Sequence, residues 1–236
     1  MTREERKAAL IKEMIAILSH DDVEADTKYT YLRDTAIQKW TDDIRNGEKT
    51  KYRGCIYWSA KAIAKYLENI ELIKNKSEDA PRNPELGLNH EHVIPKSWLI
   101  TRIFLDKTKG EPLKDAWQYL DFYLENMTFA CVVTKAEHGL INNPPEGGNY
   151  SSVMPEEAFG KNTCNPDYHK YWLRYKKAGV KVYQLKWNGE KTKASIEGEI
   201  NTDIIDWAEP LIPIKQNIYV ENQLIYDLDK KIIVFK

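Results

Sequence analysis

An α+β fold is what the sequence predicts, on three observations. Apolar residues recur at helical spacing through residues 1–80, a short β-branched run stands mid-chain, and from Lys181 onward the pattern alternates with period two. The expected organisation is a helical region at 1–80, a central region at 81–150, and one helix followed by strands at 151–236.

Each element has a local reason. Leu10, Ile11, Met14, Ile15 and Leu18 set the stripe of a first helix; Tyr29, Leu32, Ala36, Trp40 and Ile44 set that of a second, ending near Asn46-Gly47. Ser59 is placed to cap a third helix, with Ile63, Tyr66, Leu67 and Ile70 inward. Residues 75–87 carry Pro81 and Pro84 among charges and read as a surface connection. A helix over about 113–124 presents Leu113, Ala116, Trp117, Leu120 and Leu124. "MTFACVVT", 127–134, is a short apolar strand, and Thr134 can cap a helical turn through "KAEHGLIN". Asn165-Pro166 opens a helix over Asp167–Ala178 that closes on Gly179, and Asn188-Gly189 marks a hairpin among the later strands.

Composition narrows the class. The 236 residues are 42% hydrophobic, 30% charged and 11% aromatic, enough for a real core and unlike a disordered chain. No apolar run reaches the roughly 18 residues of a membrane span. The start, "MTREERKAALIKEMIAIL", has acidic residues and no small-residue cleavage site, so the expectation is a cytoplasmic protein with no membrane partner. Cys55, Cys131 and Cys164 form no CxxC pair, which favours reduced, buried thiols over a disulfide framework or a four-cysteine zinc site. A net charge of -1 neither favours nor opposes nucleic acid, so phosphate binding needs a local patch.

Residues 89–99, "NHEHVIPKSWL", hold two of the five histidines on either side of a glutamate. A carboxylate beside an imidazole can serve one reaction centre. The carboxylate binds a hard cation, and the imidazole, mostly neutral at physiological pH, takes a proton. One carboxylate holds a metal weakly, so a second ligand must arrive from elsewhere, and His138 in "TKAEHGLIN" is a candidate.

"EHVIP" at 91–95, Asn126 ahead of a short strand, and His138 on the following helix together resemble the HNH, or ββα-metal, endonucleases. In that family a β-hairpin and a helix clasp one divalent ion. The resemblance spans residues 88–143, and the long spacing between His92 and Asn126 implies a helix inserted within the hairpin. It makes His92 the general base that activates water, Glu91 the metal ligand on the hairpin, and Asn126 the asparagine that ties the hairpin's backbone together. His138 becomes the ligand on the helix, and Asn142, one turn further at i+4, could take or share that role. The implied cofactor is one Mg²⁺ per site, with Mn²⁺ as a substitute, stabilising charge on the leaving oxygen. The implied products carry a 5'-phosphate and a 3'-hydroxyl. No structural zinc is expected, because the paired cysteines that hold one in many members are absent.

Other residues carry more than one reading or a weaker one. His90 shares a strand face with His92, with Glu91 opposite unless the chain bends there, and is a surface histidine, a substrate contact or an extra ligand. Lys96, a cation beside the motif, is a candidate substrate contact. Lys170, Arg174, Lys177 and Lys181 fall on one helical stripe beside Tyr171, Trp172 and Tyr175, either a solvated face or phosphate contacts along a duplex. Cys164 and His169 are zinc-ligand types without a second pair. The function expected is a metal-dependent endonuclease of double-stranded DNA, and the large flanks favour a sequence- or modification-selective, restriction-type enzyme. The alternatives are a nonspecific nuclease with the same core, or a nucleic-acid-binding module whose metal site is structural or vestigial. A palindromic target would favour a homodimer, which nothing in the sequence demands.

Overall fold

The computed structural model describes residues 2–43, 52, 54–69, 86–108, 116–159, 170–190, 192–201, 218–220, 223–226 and 232–234. Helix α1 (Arg3–Ser19) opens on a capping box in which Thr2 Oγ1 accepts from Glu5 N and the Glu5 carboxylate accepts from Thr2 N. It buries Leu10, Ile11, Met14 and Leu18, the stripe its spacing predicts. The second helical run is α2 (Ala25–Tyr31), a π-turn at Leu32–Ala36, and α3 (Ile37–Asp43). Its expected end near Asn46 lies outside the described residues, as does the connection at 75–85.

A strand interrupts the helical region. β1 (Tyr57–Ser59) precedes α4 (Ala60–Glu68), and Ser59 caps that helix by accepting from Ala62 N at 3.0 Å. Next come β2 (Leu88–His92), α5 (Lys96–Thr108), α6 (Ala116–Phe122), a π-turn at Tyr123–Met127, β3 (Ala130–Thr134) and α7 (Lys135–Asn142). The pattern at 96–108 does not single out α5. Its first bond, Leu99 N to the Pro95 carbonyl, uses proline where a helix start tolerates it, and Leu99, Ile100 and Ile103 point inward.

Of the helix expected over 167–178, residues 171–172 form a turn and the described helical part is only α8 (Leu173–Lys177); Gly179 follows it at φ 64°, the left-handed cap that glycine permits. β4 (Val182–Trp187) and β5 (Lys193–Glu199) form the marked hairpin. Asn188 Oδ1 accepts from the backbone of both Thr192 and Lys193, so the loop is longer than a two-residue turn. β6 (Ile218–Val220) pairs with β7 (Gln223–Tyr226), and β8 (Ile232–Val234) joins β5.

The main sheet has the order β2-β3-β1-β4-β5-β8, with β1 and β3 parallel and the other pairs antiparallel. β1 lies between β3 and β4, so strands from all three sequence regions are hydrogen-bonded in one sheet. Among the described residues β2 is an edge strand. Side-chain alternation gives the sheet two apolar faces. One packs Leu88, Val132, Trp58 and Leu185 against Ala62 and Ile63 of α4. The other packs Cys131, Val133 and Val182 with residues of α1, α3, α5 and α7. Buried apolar side chains of this kind contribute roughly 1.5–3 kcal/mol each.

Candidate active site at the end of the hairpin

β2 and β3 run antiparallel, with His90 opposite Val132, Glu91 opposite Cys131 and His92 opposite Ala130. α7 follows β3 directly. Its start is fixed by a second capping box, in which Thr134 Oγ1 accepts from Glu137 N at 3.1 Å and the Glu137 carboxylate accepts from Thr134 N at 2.9 Å. That carboxylate is buried and also accepts from Ser59 Oγ at 2.6 Å, which ties the start of α7 to the start of α4. One turn on, His138 is held over β2.

Glu91 is the hub. Its Oε2 lies 2.7 Å from His138 Nδ1, and its Oε1 accepts from Arg174 Nη2 at 3.0 Å. The same Nη2 donates to Asn142 Oδ1 at 2.8 Å, and Asn142 Nδ2 lies 3.1 Å from His138 Nε2. Arginine only donates, so Asn142 presents oxygen to Arg174 and nitrogen to the ring. The circuit then closes with neutral His138 carrying its proton on Nδ1. Arg174 Nη1 donates to the carbonyls of His92 and Val93 at 3.1 and 3.2 Å. Side-chain exposure rises from 0% at Arg174 through 12% at Glu91 to 38% at His138, so the network meets solvent through the imidazole.

The bond to Glu91 raises the His138 pKa above its ordinary 6.5, against partial desolvation and the Arg174 charge. Cys131 and Tyr175 are fully buried within reach of the Glu91 charge, and desolvation pushes both well up, so both stay protonated.

Of the residues singled out by sequence, Glu91, His138 and Asn142 meet in one network. His92 leaves β2 on the other face, where its ring lies 5.9 Å from that of His90, centroid to centroid. The strand stays regular through His92; the bend comes after it, at Val93-Ile94, and not at Glu91. Asn126 stands inside the π-turn, four residues before β3 begins, and its Nδ2 donates to the Phe122 carbonyl at 3.1 Å, within its own helical run. Lys96 Nζ reaches the Arg33 carbonyl and Gln38 Oε1, both at 3.3 Å.

The cationic stripe needs correction at Arg174. The side chain is wholly buried and turned inward to Glu91, so it is no surface phosphate contact. Lys177 pairs with Glu157 at 3.4 Å, Lys170 is half-buried, and Cys164 and His169 lie outside the described residues. Sequence reasoning missed the inward role of Arg174, though a signal was present. Among the cations of "KYWLRYKKAG" it alone is flanked on both sides by large apolar residues, Leu173 and Tyr175. Among the described residues, Lys61, Lys65 and Lys135 line a cleft of about 700 Å³ together with one glutamate, Glu68.

Glu91 and His138 are two ligand types brought together from a strand and a helix. Glu91 Oε2 and His138 Nδ1 are hydrogen-bonded to each other, and they would serve one divalent ion together only with the Nδ1 proton released. Among the described residues no three His, Cys, Asp or Glu side chains form a metal-holding group. Asn142 faces the other ring nitrogen, where it sets the tautomer of His138. Comparison with family models, curated proteins and solved structures found no match to the chain.

Proposed function

We propose that the chain is a metal-dependent DNA endonuclease of HNH type, hydrolysing phosphodiester bonds to leave a 5'-phosphate and a 3'-hydroxyl. The observation that carries this is the meeting of Glu91 and His138 at 2.7 Å, from an antiparallel hairpin and the helix that directly follows it. Glu91 and His138 would hold one Mg²⁺ or Mn²⁺, which when bound supplies positive charge to the scissile phosphate.

The chain's own groups do the rest. His92, half-buried at the last position of β2, takes the proton of the attacking water. Glu91 with His138 and His92 project to opposite faces of β2, so one phosphodiester would meet both only by wrapping the edge of that strand. Asn142 keeps the His138 ring in one orientation. Lys61, Lys65 and Lys135 supply contacts to the DNA backbone, a sequence-independent term that screens with salt. The regions around the hairpin, helical before it and strand-rich after it, give the enzyme means to select a target.

A plasmid cleavage assay tests the proposal. Discrete fragments in Mg²⁺ or Mn²⁺ are expected; a smear would mean a nonspecific nuclease. The absence of cutting in Mg²⁺, Mn²⁺ or Ni²⁺ would leave only a binding module. The same geometry favours one second reading, in which Glu91 orients His138 as a general base without a metal. Cleavage that persists in EDTA would select it.

A further inference from the structure

We infer that Arg174 is a positioning residue of this nuclease, holding both the end of the hairpin and the Glu91 carboxylate in working geometry. The inference rests on the nuclease reading above. Four acceptors converge on its two terminal nitrogens. They are the carbonyls of His92 and Val93, where the chain turns off the sheet, the Glu91 carboxylate, and the Asn142 amide on α7. One planar group thereby fixes three things at once: the backbone that carries His92, the Glu91 carboxylate that would serve an ion, and the helix that carries His138. Asn126, expected in the hairpin-tying office, is engaged with Phe122 instead. Full burial keeps Arg174 off any substrate, so its influence passes only through the groups it holds. A guanidinium suits this because its donors diverge in a rigid fork, whereas an ammonium is a single point that cannot span four acceptors at these distances.

The test compares Arg174→Lys and Arg174→Ala with the wild type in plasmid cleavage, at a temperature where circular dichroism shows each variant folded. With the charge kept and the fork lost, Arg174→Lys is expected to lower kcat by about 10- to 100-fold while KM stays within about twofold, because no substrate contact is removed. Methylguanidinium added to Arg174→Ala should restore part of the lost kcat. Wild-type kcat in Arg174→Lys, or a loss confined to KM, would overturn the inference and leave the nuclease reading standing. So would variants that are unfolded at every temperature, since Arg174 would then be a residue of the fold alone. A wild type that cuts nothing would remove the nuclease reading and this inference together.

Discussion

Glu91 does two incompatible-looking jobs. It neutralises a wholly buried guanidinium and still presents an oxygen to an imidazole that is 38% exposed. The first job sets its structural weight, because breaking a buried ion pair by removing one partner typically costs about 3–5 kcal/mol. Glu91→Gln keeps the shape and an acceptor but leaves Arg174 charged and unpaired. Urea denaturation should therefore show a loss at the lower end of that range; an unchanged midpoint would mean that Arg174 is satisfied by the three other acceptors. The second job sets a pH dependence. His138 has its folded pKa raised by Glu91. Its contribution to stability is thus complete below the unfolded imidazole's pKa of about 6.5 and is lost as pH rises through the raised value. Protonation at Nε2 opposes the Asn142 amide, which takes back part of what Glu91 gives. Melting temperatures of wild type and His138→Gln from about pH 5.5 to about pH 8.5 should differ most at the acid end. A gap that widens with pH contradicts the assignment.

The elements that shape the site are those whose ends are chemically marked. Thr134 and Ser59 were legible as caps because a cap is a local event, a hydroxyl two or three residues ahead of an orphan N–H. The same is true of Gly179, of the apolar stripe of α1, and of Ile63 and Tyr66 in α4, where Leu67 is only half-buried and Ile70 lies outside the described residues. What local pattern could not give is burial and register. β1 is three residues long, and its place between β3 and β4 depends on partners more than seventy residues ahead. Asn126 looked ready to open a strand, yet the helical run continues through it, since Tyr123, Leu124 and Met127 have a core to fill. Arg174 read as one cation in a row until the packing of α8 against α7 turned it inward. The cap at α7 offers a direct check. Thr134→Ala removes the acceptor for Glu137 N and one donor to a buried carboxylate, and should cost about 0.5–2 kcal/mol in urea denaturation. A neutral effect would mean that Ser59 and the Thr134 backbone hold Glu137 unaided.

At the scale of the molecule, one mixed sheet joins strands drawn from the helical, central and strand-rich thirds of the sequence, with helices on both faces. Among the described residues the hairpin lies at one margin of that sheet, with Glu91 meeting His138 of α7 on one face and His90 and His92 on the side of α4. The lysine-lined cleft sits where α4 meets the start of α7. Replacing Lys61, Lys65 and Lys135 together by glutamate should weaken DNA binding for every sequence alike. It should also reduce the slope of log affinity against log salt by roughly 2 to 3, read by fluorescence anisotropy. An unchanged slope would place the backbone contacts on another surface. The central claim is hydrolysis at the hairpin end, and the most direct measurement is plasmid cleavage by wild type and His92→Ala in Mg²⁺, Mn²⁺ and EDTA. Wild type should cut with either ion and not in EDTA, and His92→Ala should lose about 10²- to 10⁴-fold in rate while melting at the wild-type temperature. A wild type inert with every divalent ion, or a His92→Ala variant that cuts at the wild-type rate, would contradict it.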